Sequence, residues 1–232
     1  MDRLITLGLS DLHLGQAQCP ISENLFSLLD SIKTLDTLIV AGDLFEVWLG
    51  DDASTDFQWH IAERFKAVEA KTSVFLPGNR DFLLGEAWLQ AAGMTPHPSF
   101  LHRGAHWSHG DEFCTQDLDY MAWRHKSRSP EFREHFLSLS LEQRQAFASQ
   151  ARETSRETGK QTQSHIADVT PASVPDGQIV HGHTHRPAVH RRPSGNRIVM
   201  GDWRPEAWVY VETHTFAGLK KWHHGWCTEI TI

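Results

Sequence analysis

The sequence predicts an α/β fold built on a largely parallel sheet. Apolar runs alternate with amphipathic helical stripes over the first hundred residues, the pattern of strand-helix-strand units. The runs "LITLGLS", "TLIVAG" and "SVFLPG" are short and bounded by turn residues, as buried strands are. Each leads into a polar loop, respectively "SDLHLG", "GDLFE" and "PGNRDF".

The elements follow in order. Leu4 to Ser10 form the first strand. "ENLFSLLDSIKTL" carries a helical stripe at Leu25, Phe26, Leu28, Leu29 and Ile32, with Ser22 as its expected cap. "FQWHIAERFKAVEA" repeats the pattern through Phe57, Ile61, Phe65 and Val68, with Asp56 expected as cap. "GEAWLQAAG" is a short helix closing at Gly93.

The character changes at about Asp117 and stays changed to Asp168. That stretch lacks strand signals. Pro130 starts a helical segment and a charged, glutamine-rich helix follows from Leu141, so residues 117–168 are expected to form an all-helical cap inserted into one domain spanning 1–232. Beyond it, "QIVHG", "RIVMGDW", "AWVYVETH" and "KKWHHGW" to "EITI" are short strands, expected to be antiparallel.

Bulk properties bound the function. Of the 232 residues, 40% are hydrophobic and 22% charged, as in a folded protein. The formal net charge of −7 argues against non-specific attraction to nucleic acid. Cys19, Cys114 and Cys227 form no CxxC pair, which favours a reducing compartment. The start, "MDRLITLGLSDLHLG", lacks the features of a secretory signal, and no window approaches the roughly 20 apolar residues of a spanning helix. The expected location is therefore the cytoplasm.

The polar residues carry the chemistry. Five strands run into metal-capable side chains: Asp11 and His13, then Asp43, Asn79, His109, and finally His183 and His185. Groups beyond the carboxyl ends of strands in an open α/β sheet meet in one crevice, so residues scattered in sequence converge in space. The set holds oxygen and imidazole donors with no thiolate, which suits Mn²⁺, Fe²⁺ or Zn²⁺. It exceeds what one tetrahedral ion takes and suffices for two octahedral ions sharing a carboxylate. Two such ions clamp the attacking and leaving oxygens of a phosphoryl displacement and activate a bound water. Gly42, Gly78, Gly110 and Gly182 beside these residues are expected to let the backbone approach a phosphate. With 16 histidines, any one alone is more often a surface or core residue, and His60, His97, His125, His214 and His224 are taken as such. His181, closer to its strand, is taken as structural. Arg80, beside Asn79, is expected to contact the phosphate rather than form a surface pair with Asp81. No GxSxG nucleophile motif is present.

"SDLHL", "GDLFE", "GNRDF", "HGD" and "GHTH" match in order the signature of the calcineurin-like metallophosphoesterases. The resemblance implies a four-layer α-β-β-α sandwich with a helical lid. It implies one ion held by Asp11, His13, Asp43 and His185, and a second by Asp43, Asn79, His109 and His183, with Asp43 bridging. More closely, "GDLFEVWLGDD", "GNRDFLLG", "HGDEFCTQD" and "HGHTHRPAVH" resemble the UDP-2,3-diacylglucosamine pyrophosphatase family of lipid A synthesis. That resemblance implies cleavage of a nucleotide-sugar lipid to UMP and 2,3-diacylglucosamine 1-phosphate, a pair of Mn²⁺ ions, and peripheral association with the cytoplasmic face of the inner membrane. It implies no protein partner.

By the same resemblance Asn79, Arg80 and His109 are the expected catalytic residues, and Asn79, Arg80, Asp117, Ser155 and His183 the expected substrate contacts. Tyr120 and Arg152 align with lid positions. Gly159 and Thr162 depart from the family's asparagine and lysine, with Lys160 nearby. Phe132, Phe136 and Leu139 form an apolar face expected to pack on the core. Arg124, Lys126, Arg128 and Arg133 are candidates for anionic headgroups. The alternatives are an esterase for a soluble phosphodiester or dinucleoside polyphosphate, and a non-catalytic scaffold, against which the complete ligand set argues.

Overall fold

The computed structural model describes residues 3–15, 17–32, 34–157, 168–204 and 206–231, with the side chains of 152–157 left aside. The strands of the first half are β1 (Leu4–Leu9), β2 (Leu35–Val40), β3 (Ala70–Phe75), β4 (Thr95–Pro96), β5 (Phe100–His102) and β6 (Ala105–Trp107). Those of the second are β7 (Gln178–His181), β8 (Ala188–His190), β9 (Arg197–Val199), β10 (Gly201–Trp203), β11 (Ala207–Glu212), β12 (Ala217–Trp222) and β13 (Trp226–Thr231). The helices are α1 (Pro20–Ser31), α2 (Asp56–Lys66), α3 (Glu86–Ala92), α4 (Leu118–Ser127), α5 (Pro130–Ser138) and α6 (Leu141–Glu157).

Two sheets result. The larger runs β13-β12-β11-β1-β2-β3-β4, with β10 alongside β11. Its β1 to β4 half is parallel, as the alternation with α1, α2 and α3 requires, because a parallel crossover needs a long connection. The smaller runs β5-β6-β7-β9-β8. Here β7 pairs parallel with both β6 and β9, which corrects the antiparallel expectation for "QIVHG". The long excursion of the cap between β6 and β7 brings the chain back in the same direction, so no hairpin forms.

Strand alternation divides the core. Ile39, Val74, Trp107, Val180, Met200 and Tyr210 bury themselves between the sheets. Trp107 lies against Gly8, where a Cβ would fall 2.6 Å from the indole, so the sheets close tightly there. The opposite face of β1, β2 and β11 meets α1 to α3 through Leu7, Leu9, Leu38, Leu25, Ile61 and Trp88. Ile179 turns to the other face of the smaller sheet and packs with Phe113, Cys114, Val169 and Val174.

Helix starts differ from expectation by a few residues. The N-cap of α1 is Cys19, and Ser22 sits inside the first turn, its Oγ accepting from Cys19 N at 2.9 Å. The cap of α2 is Thr55, whose Oγ1 accepts from Gln58 N, while Asp56 is the first helical residue. In both cases the capping partner is a residue three positions away, which favours the earlier start.

Trp88 is the keystone of the α2–α3 packing. It is fully buried, meets Phe45 and Trp48 edge-on at 5.3 and 5.9 Å, and donates its Nε1–H to Gln58 O at 2.8 Å. Trp88→Ala is expected to cost about 3–5 kcal/mol of stability, as large-to-small core truncations do. Urea unfolding would show it, and a loss under about 1 kcal/mol would mean that the site collapses to fill the space.

The expected cap is helical from Leu118 to Glu157, and Pro130 does open α5. Phe136 is buried in the main core, and Phe132 and Leu139 pack against it, as their spacing suggested. Trp123, Phe132, Phe136 and Phe147 stack among themselves at 5.2–6.0 Å. At the far side Arg144 is almost buried, donates to Leu49 O at 2.7 Å and pairs with Asp52.

Candidate active site

The parallel strands point their carboxyl ends the same way in each sheet, and the inter-sheet core holds those ends together. Loops after β1, β2 and β3 therefore meet loops after β6 and β7. Asp11, His13, Asp43, Asn79, His109, His183 and His185 all converge there. Asp11, His13 and His185 each offer a ligand atom within 4.8 Å of the others, and so do Asp11, Asp43 and His109. His13 Nε2 and His185 Nε2 are 3.1 Å apart. His109 Nε2 and His183 Nδ1 each lie 3.0 Å from Asn79 Oδ1. Asp43 stands between the two groups, with Oδ2 3.7 Å from His13 Nε2 and Oδ1 3.6 Å from His109 Nε2.

The donor set fits divalent cations. Metal-ligating histidines commonly give their second nitrogen to a carboxylate or carbonyl, which aims the first. His109 Nδ1 donates to Ala41 O at 2.9 Å, and His13 Nδ1 lies 3.1 Å from Glu46 Oε2, so both turn Nε2 inward. His185 Nδ1 lies 3.7 Å from Asp202 in the same sense. Asp11 accepts from Ser10 Oγ at 2.6 Å and from His183 N at 3.0 Å on each oxygen, which leaves its carboxylate no other orientation.

The backbone is strained where these side chains attach. Asp11, His13, Asp43, His183 and His185 all adopt φ between 50° and 64°, a region that non-glycine residues seldom enter. Each costs on the order of 1–3 kcal/mol and persists only where the surroundings over-determine it; such residues cluster at functional sites. The glycines serve the same end. A Cβ on Gly78 would meet Asp43 Oδ1 at 2.2 Å, and one on Gly182 would meet Asp11 Oδ2 at 2.2 Å. At Gly78 and Gly182 the missing Cβ makes room for the Asp43 and Asp11 carboxylates.

Electrostatics bear the mark of crowded charge. Burial disfavours the imidazolium of His185, but its contacts with Asp11 and Asp202 outweigh this and raise its pKa to about 10. Burial likewise opposes charge on His109, and the Asp43, Asp11 and Asp111 carboxylates raise it to about 9. His183 is lowered to about 4 by burial and by the neighbouring His109. For Asp11, burial is outweighed by His185, His109 and His13, which hold the carboxyl well below its usual range. The negative groups thus stabilise positive charge at the centre of the site.

Of the other expected contacts, Arg80 lies beside the cluster. Its backbone N–H donates to Asp43 Oδ1 at 2.9 Å, and Nη1 lies 4.0 Å from Glu46. It makes no ion pair with Asp81 among the described residues. Asp81 is sealed inside, accepting from Gly78 N at 2.9 Å and Leu44 N at 2.8 Å, which ties the Asn79 loop to the Asp43 loop. Asp117 caps α4, accepting from Tyr120 N at 3.2 Å. Tyr120 stacks on His183 with ring centroids 6.1 Å apart. The side chains of Arg152 and Ser155, and all of Gly159, Lys160 and Thr162, lie outside the described residues. His181 is structural as expected: fully buried, edge-on to Phe113, its pKa lowered to about 3 by burial and Arg197.

Arg124 and Arg128 correct the headgroup expectation. Both turn inward, reaching Asp111 Oδ2 at 2.8 and 2.9 Å. Sequence inspection missed Asp111, Asp81 and Glu46. Each stands one to three residues from an expected ligand, in "HGD", "NRD" and "DLFE", and that proximity was the available signal.

A crevice of carboxylate, amide and imidazole donors at the carboxyl ends of strands from two facing sheets defines a metallophosphoesterase. No protein-family model matches the chain. It is 40% identical over 227 residues to a UDP-2,3-diacylglucosamine hydrolase of Xanthomonas campestris pv. campestris, covering 86% of this chain and 92% of that one. It is 39% identical over 222 residues to the enzyme of the same name from Chromohalobacter salexigens, covering 87% and 90%. The chain belongs to the UDP-2,3-diacylglucosamine hydrolase family. Among solved structures, a novel archaeal phosphodiesterase is similar at 14% identity and a TM-score of 0.45, covering 98% of this chain and 99% of that one. No helix among the described residues is long and apolar enough to cross a membrane.

Proposed function

We propose that this protein hydrolyses the pyrophosphate bond of UDP-2,3-diacylglucosamine, releasing UMP and 2,3-diacylglucosamine 1-phosphate, with two divalent cations of which Mn²⁺ is the expected pair. The observation that carries the reading is the convergence of seven ligand-type side chains on one crevice, in a chain of this family. When bound, the cations activate a water and neutralise phosphoryl charge. Asp11, His13, Asp43 and His185 would hold one, and Asp43, Asn79, His109 and His183 the other.

The remaining chemistry belongs to the chain. Arg80, half-exposed beside Asn79, presents a guanidinium suited to a phosphoryl oxygen. Hydrolysis needs no covalent nucleophile, and the thiol nearest in sequence to His109 is unsuited to serve as one: Cys114 is buried and its pKa is pushed up to about 12 by burial and by Asp111. Asp117 and Ser155 remain proposed contacts for the sugar phosphate, with Asp117 also capping α4. Phe82, just beyond Asn79, helps line a cavity of about 490 Å³ with Phe75, Leu84, Leu89 and Met94, and Arg133 of α5 at its wall. Its apolar part, beside Glu86, Gln90 and Thr95 that also line it, is where acyl chains are proposed to lie. The same proposal places its action peripherally at the cytoplasmic face of the inner membrane, a membrane being where a lipid-borne substrate resides.

The test is direct. Incubation with Mn²⁺ and UDP-2,3-diacylglucosamine is expected to yield UMP, to stop on chelation with EDTA, and to resume on Mn²⁺ addition. Turnover of bis(p-nitrophenyl) phosphate without any UMP from the lipid substrate would favour the soluble-diester alternative instead.

A further inference from the structure

Asp111 does no ligand duty in this reading, yet it is completely buried beside His109. A buried carboxylate needs partners, since an unpaired one is costly. Among the described residues, the hydrogen-bond partners of its Oδ2 come from one stripe of the cap. Tyr120, Arg124 and Arg128 lie four residues apart, on successive turns of α4 and its C-cap. All three reach the same oxygen: Tyr120 donates its hydroxyl to Asp111 Oδ2, Arg124 Nε donates at 2.8 Å and Arg128 Nη2 at 2.9 Å.

Two of these partners, Tyr120 and Arg128, also touch the site. The ring of Tyr120 stacks on His183. Arg128 Nη2 donates to Gly78 O at 3.1 Å, the carbonyl immediately before Asn79. We infer that Asp111 is a positioning residue for the hydrolase: it seats α4 on the floor of the site, and through Tyr120 and Arg128 it fixes where the cap stands over His183 and Asn79. This rests on the proposed substrate, because only a substrate that reaches the cap needs the cap in register.

The experiment uses the full chain with Asp111→Asn and, separately, Arg128→Gln. Asp111→Asn keeps side-chain shape and removes the carboxylate charge that both arginines face, while Arg128→Gln keeps the aliphatic stem, shortens the side chain and removes one of the two ion pairs. Amide hydrogen exchange of residues 118–127 is expected to quicken about tenfold or more, the fold-change equivalent of one lost charge-assisted hydrogen bond. Exchange in β1 and β2 should stay as it is. Metal content after Mn²⁺ loading should match the unaltered protein. The loss in kcat/KM for UDP-2,3-diacylglucosamine should exceed the loss for bis(p-nitrophenyl) phosphate by about tenfold, carried mainly by KM. Unaltered exchange at 118–127 in both variants, or equal losses on the two substrates, would overturn the inference. Should the unaltered protein fail to release UMP, the substrate assignment falls, and the exchange measurement alone decides whether Asp111 seats the cap.

Discussion

Asp43→Ala is expected to abolish UMP release and to strip the protein of bound metal. Its two oxygens face different groups, one towards His13 and the other towards His109, so the carboxylate stands where it can serve both. Removing it takes a ligand from each proposed cation at once. Metal activation is worth several kcal/mol of transition-state stabilisation, and each 1.36 kcal/mol is a factor of ten, so a loss of at least about a thousandfold is expected. The fold should survive. The variant also frees the part-buried N–H of Arg80, at the cost of about 1–3 kcal/mol for one unpaired donor. Metal analysis and UMP chromatography on the same sample check the prediction. UMP release near the level of the unaltered protein would refute the bridging role.

What the sequence revealed follows a physical division. Ligand-type side chains are dictated by chemistry: few residue types bind such cations, so Asp11, His13, Asp43, Asn79, His109, His183 and His185 were legible as candidates one by one, and strand periodicity placed them together. Residues that orient them are dictated by the fold. Glu46 aims His13, Asp81 joins two loops and Asp111 receives α4, and apart from standing close to an expected ligand their local sequence does not distinguish them from turn residues. The basic stripe of α4 misled for the same reason. Spacing says that Arg124 and Arg128 share a face, but only the packed structure says that the face turns inward. Helix starts at Cys19 and Thr55 were missed because several side chains near each terminus can cap, and packing selects among them. The backbone strain at five of the proposed ligand residues was not legible, because aspartate and histidine, although enriched at positive φ, still adopt negative φ at most positions.

Gly182→Ala should disable the site from a position that binds nothing. The residue sits between His181 and His183, and a Cβ there would fall 2.2 Å from both Asp11 Oδ2 and Ser10 Oγ. Neither neighbour can step aside. Asp11 is buried, held by Ser10 Oγ and by the His183 backbone, and its own backbone is already at a strained φ of 57°. The added methyl therefore has to push the Asp11 carboxylate away from His185 or shift the loop that carries His183 and His185. Either movement misplaces donors whose mutual spacing defines the cation position, and displacements of about 1 Å at such sites cost on the order of a hundredfold in rate. Metal content should fall together with activity, while circular dichroism keeps its native form. Gly15→Ala is the matched control. It lies two residues from His13, but a Cβ there meets nothing within 4 Å, so that variant should stay within about 0.5 kcal/mol of the unaltered protein in stability and keep its metal. Equal behaviour of the two alanine variants would mean that the space around Asp11 is not what sets the ligand geometry.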